Sequence, residues 1–253
     1  MLQPVGYDGR QHEVYARGRA IGADAIALWM RTFAAFAPER RPLNVLDLGC
    51  GVGRFTPALA DTFGGPVYGV EPSARMREVA EAGAAHLAVT YLDGRAEAIP
   101  LADKSCDLVL MFLSFHHVRD RHEAAAEIAR VLRPGGRILV RSTFADRVHL
   151  LDTWHRFFPR AEEIERGMFP SVQEVKDVFA RAGLGPVAFE TVEVEIAPSL
   201  AAQAERLRLR AISTFEHMTE AEIAEGFERL EEVVRQETTP KPVTAKSDLL
   251  VLG

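Results

Sequence analysis

Apolar residues recur along this chain in two alternating rhythms. Short apolar runs closed by glycine, proline or an acid alternate with stretches in which apolar positions return every three or four residues. The runs Leu43–Leu48, Pro66–Glu71, Ala88–Leu92, Cys106–Phe112 and Arg137–Arg141 predict strands of a mostly parallel sheet, because strands covered on both faces lose the period-two alternation. Helical spacing predicts a helix after Gly53, another capped by Ser73, and a third around Glu123–Leu132, which Pro134 stops and the Gly135–Gly136 pair turns back into the sheet. Strand–helix alternation of this kind is the pattern of an α/β fold.

Additions flank that core. Tyr7–Ala37 carries Ile21, Ala25, Ile26, Trp29, Met30, Phe33 and Phe36 at helical spacing and predicts an amphipathic lead-in helix. Ser171-x-x-Glu174 has the form of a capping box for a helix ending near Gly183, and Val187–Ile196 alternates like an antiparallel strand. Pro198–Thr239 reads as two amphipathic helices, the second starting at the Thr219-x-x-Glu222 capping box, ahead of a terminal D-L-L-V-L strand. No Pro/Gly/Ser-rich linker divides the 253 residues. A single domain over 1–253 is expected, with a lead-in at 1–40, a core at 41–197 plus 245–253, and a helical insertion at 198–240 over the active site or packed at the sheet edge.

The first strand ends in the most informative stretch, D-L-G-C-G-V-G-R-F-T from Asp47 to Thr56. Glycines at 49, 51 and 53 let backbone approach a ligand closely, and the free N–H groups of a helix start favour an anionic group. The dinucleotide fingerprint fails here, because Arg54 falls where its third glycine belongs and Asp47 interrupts the strand. Glu71, at the tip of the second strand, is placed to accept hydrogen bonds from both hydroxyls of a ribose.

Charge and composition narrow the partners. A net charge of −6 gives no electrostatic footprint for nucleic acid or an anionic membrane. Two cysteines, Cys50 and Cys106, without C-x-x-C spacing, supply no disulfide framework, zinc site or iron–sulfur site, and no metal is expected. No apolar run reaches transmembrane length and no signal-like segment follows Met1, so a cytoplasmic location is expected. The oligomeric state stays open.

D-L-G-C-G-V-G closely resembles the first motif of the class I S-adenosylmethionine (SAM)-dependent methyltransferases. The likeness continues through E-P-S-A-R-M (Glu71–Met76), G-R-A-E-A-I-P-L (Gly94–Leu101), C-D-L-V-L-M-F-L-S-F-H-H-V (Cys106–Val118) and E-I-A-R-V-L-R-P-G-G-R-I-L-V (Glu127–Val140), in that family's order. It covers about the first 142 residues and is similar to the small-molecule, ubiquinone- and menaquinone-biosynthesis-like kind. It implies a Rossmann-like, doubly wound, mostly parallel seven-stranded sheet with a helical cap, and SAM as cofactor.

By the same resemblance, Gly49, Cys50, Gly51, Gly53, Glu71, Pro72, Met76, Arg95, Ala96, Glu97, Phe112 and Leu113 bind the cofactor. Tyr15 and Arg19, in Y-A-R-G-R, resemble the Tyr and Arg that precede the core in relatives and meet the cofactor's carboxylate; a solvated arginine is the alternative. Arg95 departs from the pattern, standing where relatives carry an aspartate that accepts from adenine, so adenine falls to backbone at Ala96, to Glu97 or to stacking.

The implied reaction is methyl transfer to a small organic, aromatic or heterocyclic acceptor, such as a natural-product tailoring step, on N, O or C. In-line attack needs no covalent enzyme intermediate, and a base only if the acceptor loses a proton. His116 and His117 are the candidates; neighbours in extended chain point oppositely, so at most one faces the pocket. His12 and His155 are weaker candidates. Tyr7, Phe115, Trp154, Phe158 and Phe215 are candidates for the acceptor pocket, core packing being the alternative. Two rival readings stand beside this one: a non-catalytic SAM-binding module, and an RNA methyltransferase using Arg206, Arg208 and Arg210 as a basic stripe.

Overall fold

The structure, a computed structural model, describes residues 21–151 and 154–253. Its strands are β1 (Val45–Leu48), β2 (Val67–Glu71), β3 (Val89–Asp93), β4 (Cys106–Phe112), β5 (Leu132–Ser142), β6 (Pro186–Ala197) and β7 (Val243–Leu252). They form one seven-stranded sheet in the order β3-β2-β1-β4-β5-β7-β6. β1 to β5 pair in parallel, and β7 runs antiparallel between β5 and β6. The fold is the Rossmann-like α/β architecture.

Successive residues of the buried strands feed opposite faces of the sheet. Leu46 and Leu48 of β1, Val109 and Met111 of β4 and Val140 of β5 join α4 (Arg121–Val131) and α7 (Val172–Arg181) in one core. Val45, Leu108, Leu110 and Leu139 join α1 (Ala23–Phe36) and α2 (Thr56–Phe63) in the other. The strict two-residue period of Cβ direction accounts for both cores from the same runs of Val and Leu.

The expected start of the lead-in, Tyr7, lies outside the described residues, within which α1 is Ala23–Phe36. Boundaries differ in two strands. β5 begins at Leu132, five residues before the predicted start, because Leu132 pairs with Cys106 before the register shifts and Arg137 takes up pairing with Leu108. The Arg133–Gly136 stretch is thus a bulge inside the strand, with Gly135 at φ 76°. The last strand extends back to Val243, where it pairs with Ala197 of β6.

Helices α3 (Ala74–Gly83), α5 (Val148–Leu151), α6 (Pro159–Met168), α8 (Leu200–Arg208) and α9 (Glu220–Gln236) complete the described helical set. α6, α8 and α9 gather around Trp154, Phe157, Phe158 and Phe215, a core separate from the two sheet faces. The Trp154 ring lies 5.3 Å from Phe158 and 5.1 Å from Phe215. Gly226 of α9 is seated against Phe158, where a Cβ would meet the ring at 2.1 Å. A polar chain runs through the same region: Thr214 Oγ1 donates to Glu165 Oε1 at 3.0 Å, and His155 Nε2 lies 3.0 Å from Glu165 Oε2.

Candidate functional site

Sheet order reverses between β1 and β4, and in open α/β sheets the crevice at the carboxyl ends of such strands is where ligands bind. A cavity of about 150 Å³ occupies that place, lined by the ends of β1, β2 and β4 and the loops that leave them. Of the residues expected to bind the cofactor, Gly49, Cys50, Gly51, Glu71, Pro72, Met76, Arg95, Ala96, Glu97, Phe112 and Leu113 all line it. Tyr15, Arg19, Tyr7 and His12 lie outside the described residues.

The glycine turn has two distinct causes for its glycines. Gly49 stands at φ 74°, and a Cβ there would sit 2.5 Å from the Ser114 Cβ, so β1 and the loop after β4 close on each other only around a hydrogen atom. Gly53 does not line the cavity. It also has positive φ, but a Cβ there would meet the Tyr91 hydroxyl at 2.4 Å and Ala84 at 2.8 Å, so its role is to let the turn pack against β3. Its N–H donates to the Cys50 carbonyl at 3.0 Å, and α2 starts three residues further on, at Thr56.

Glu71 is 8% exposed and its two carboxylate oxygens each hold one backbone N–H, Gly51 at 3.1 Å and Ser73 at 2.9 Å. Those bonds orient Glu71, and its carboxylate lines the cavity. Asp47, which the sequence marked only as an interruption of the strand, lines the same cavity and accepts the Thr56 hydroxyl at 2.7 Å. Burial pushes its carboxyl up to about 6, against the lowering effects of Thr56 and Arg54. Burial also raises the Cys50 thiol well above its ordinary range, with Asp47 and Glu71 adding to the effect, which keeps it protonated and unreactive.

After β4 the chain makes a strained turn. Leu113 adopts φ 55°, unusual for a branched side chain, with its N–H on the Arg141 carbonyl at 2.8 Å, and Ser114 donates its hydroxyl to the Leu48 carbonyl at 2.7 Å. Glu97 accepts the N–H groups of Arg119 at 2.9 Å and Asp120 at 3.2 Å, so it fastens this loop to the cavity's outer wall.

The two histidines do not sit in extended chain. Phe115–His117 is a 3₁₀ turn, and the imidazole centroids lie 3.8 Å apart instead of pointing oppositely. His117 lines the cavity, whereas His116 does not line it and lies against Phe169 at 4.4 Å. Desolvation lowers the His117 pKa to about 4, so it is neutral at physiological pH. His155 is part of the buried Glu165–Thr214 chain.

The expected acceptor aromatics fall elsewhere. Phe115 is buried against Phe179 of α7 at 5.5 Å, in the sheet core. Trp154, Phe158 and Phe215 fill the core of the cap and line neither this cavity nor its neighbour. Three rings that pack on one another bury more apolar surface there than they would against an open pocket.

A second cavity of about 120 Å³ adjoins the first and shares Arg54, Phe112 and Leu113 with it. Its other walls come from Trp29 of α1, Arg141 of β5, Val194–Ile196 of β6, Arg206 of α8 and Ser247 of β7. Sequence reasoning missed Arg141 here; the available signal was a cation at the end of an otherwise apolar strand. The supposed basic stripe dissolves: Arg206 turns into this cavity, Arg208 pairs with Glu205 and Glu231, and Arg210 pairs with Glu220. Among the described residues, no helix is long and apolar enough to cross a membrane.

Comparison with known proteins adds to this geometry. A family described as methyltransferase domain matches residues 46–140, from β1 into β5. An uncharacterized methyltransferase of Geobacillus thermodenitrificans is 31% identical over 186 residues, which span 70% of this chain and 80% of that protein. A crystal structure described as a methyltransferase from an antibiotic biosynthesis pathway of Anabaena variabilis superposes with a TM-score of 0.70 at 21% identity, covering 90% of this chain and 97% of that one. Geranyl diphosphate methyltransferase, solved in complex with SAM, superposes with a TM-score of 0.57 at 18% identity, covering 89% and 84% of the two chains. At those identities the structural likeness concerns the fold.

Proposed function

This chain belongs to the class I SAM-dependent methyltransferase family, and on that premise we propose that it moves a methyl group from SAM in the first cavity to a small organic acceptor in the second. The observation that carries the reading is the shared wall: Arg54, Phe112 and Leu113 border both cavities, so the second lies directly beside the first.

The residues present suit the cofactor. A carboxylate on the cavity wall at the β2 tip matches a ribose diol, the turn around Gly49 and Gly51 admits close backbone approach, and Pro72, Met76 and Ala96 supply apolar contact for a purine. When bound, SAM supplies an electrophilic methyl group on a sulfonium, open to in-line attack. The protein's own contribution is to orient the acceptor toward the shared wall and keep water out, the role of Phe112, Leu113 and Trp29.

His117 lines the first cavity and not the second. We therefore assign it to the cofactor's surroundings. Acceptors that need no deprotonation, or that carry their own internal base, suit such a site best. Small-metabolite tailoring is in keeping with an acceptor of this size.

The test is release of S-adenosylhomocysteine from SAM in the presence of phenols, amines, indoles and other carbon nucleophiles, alongside structured RNA. Turnover with a small molecule supports the proposal. Turnover with RNA alone, or SAM binding without any turnover over a broad acceptor set, counts against it and favours the rival readings.

A further inference from the structure

The second cavity carries a distinctive charge pattern for a chain of net charge −6. Among the described residues its wall holds three guanidiniums, Arg54 after β1, Arg141 at the end of β5 and Arg206 in α8, and one carboxylate, Glu195, while Asp47 of the first cavity acts on Arg54. Glu195 is exposed, whereas the three arginines are half-buried. Three elements far apart in sequence each deliver a cation to one small space, which local sequence bias does not explain.

These cations are held in place. The Arg141 guanidinium lies 4.7 Å from the Phe112 ring centre and 5.8 Å from that of Trp29, and its Nη2 donates to Ser247 Oγ at 2.5 Å. The Arg54 guanidinium is 6.0 Å from the same Phe112 ring. Arg206 is anchored by a bond from Nη1 to the Ile196 carbonyl. A planar fork of N–H donors seated on aromatic rings is suited to the paired oxygens of an anion, and low-dielectric walls strengthen that attraction.

Position adds the last element. Arg141 and Arg206 line the second cavity alone, while Arg54, Phe112 and Leu113 form its boundary with the first. A ligand anchored at Arg141 and Arg206 presents its opposite end to the shared wall. We propose that the acceptor is an organic acid with a flat apolar body, its anionic group held by Arg141 and Arg206 and its nucleophile directed at the first cavity. This rests on the methyl-transfer reading and names the substrate class that reading leaves open.

The experiment titrates benzoate and its neutral isostere benzamide into the protein loaded with S-adenosylhomocysteine, with SAM titrated separately into each variant. Benzoate should bind at least ten times more tightly than benzamide. Arg141→Gln and Arg206→Gln should each weaken benzoate tenfold or more with SAM affinity unchanged, and Arg141→Lys should retain part of it. Retained SAM affinity also establishes that each variant is folded. Equal affinity for the two probes, no binding of either, or benzoate affinity unaltered in both glutamine variants overturns the proposal. Failure of the wild type to bind SAM would instead overturn the methyl-transfer reading, so the two failures are distinguishable.

Discussion

Glu71, at the tip of β2, accepts the Gly51 N–H at 3.1 Å and thereby joins the acidic strand end to the glycine turn after β1. Its other oxygen takes the Ser73 N–H at 2.9 Å, next to the start of α3. One carboxylate thus fixes the relative position of three pieces of the cavity wall while facing the space between them.

The glycine turn makes a contrast that tests the roles of two of its members. Gly49→Ala imposes a left-handed alanine and drives its Cβ into Ser114, at the cavity wall. Gly53→Ala imposes a similar conformation but collides with Tyr91 and Ala84, away from the cavity. Each should cost on the order of 1–3 kcal/mol of stability, readable as a fall in melting temperature. Only Gly49→Ala should also weaken SAM binding strongly; equal loss of affinity in both would place Gly53 at the ligand.

The buried His117 should leave a mark on stability against pH. Its pKa is lowered from 6.5 to about 4 in the folded protein by desolvation, so below 6.5 the unfolded chain takes up a proton that the native protein refuses. Stability attributable to His117 is therefore present above pH 6.5 and lost as pH falls toward 4. Asp47, raised to about 6 by burial, acts in the opposite sense over an overlapping range, so the wild-type curve alone mixes the two. Chemical denaturation of wild type and His117→Gln at pH 7.5 and 5 separates them: the variant should lose less stability on acidification. Parallel curves would mean that His117 titrates normally.

In the cap, Phe215 packs on Trp154 and Phe158 and touches neither cavity. Phe215→Ala should cost about 3–5 kcal/mol of stability, as large core truncations do, while SAM affinity stays within about twofold of wild type. A stable variant with altered ligand binding would return Phe215 to the acceptor site.

Much of the fold was legible because strands buried on both faces advertise themselves as unbroken Val and Leu runs, and because Gly49 and Glu71 fall at fixed points at their ends; Arg133–Gly136 reads as a turn in sequence but is a bulge inside β5. The first cavity was legible for the same reason, since its residues follow strand ends directly. The aromatic assignment was not: Trp154, Phe158 and Phe215 have the same spacing whether they fill a cap or line a pocket, and only the tertiary packing of α6, α8 and α9 decides. The second cavity was illegible for a different reason. Arg54, Arg141 and Arg206 look like ordinary surface arginines one at a time, and their convergence depends on β5 and β6 flanking β7, a non-sequential neighbour. That at most one of His116 and His117 lines the cavity agrees with the sequence reading, but the reason differs, because a 3₁₀ turn and not an extended chain carries them.

The central claim is that the cavity at the β1–β4 switch point holds SAM with Glu71 as the ribose acceptor. Isothermal titration of SAM into wild type, Glu71→Gln and Glu71→Ala tests it most directly, with a thermal melt of each to establish folding. Saturable one-site binding to wild type, weakened by about 1.5–3 kcal/mol in Glu71→Ala, is the predicted result, as for loss of hydrogen bonds to a charged acceptor. Undiminished SAM affinity in a folded Glu71→Ala protein, or no binding to the wild type, would contradict it.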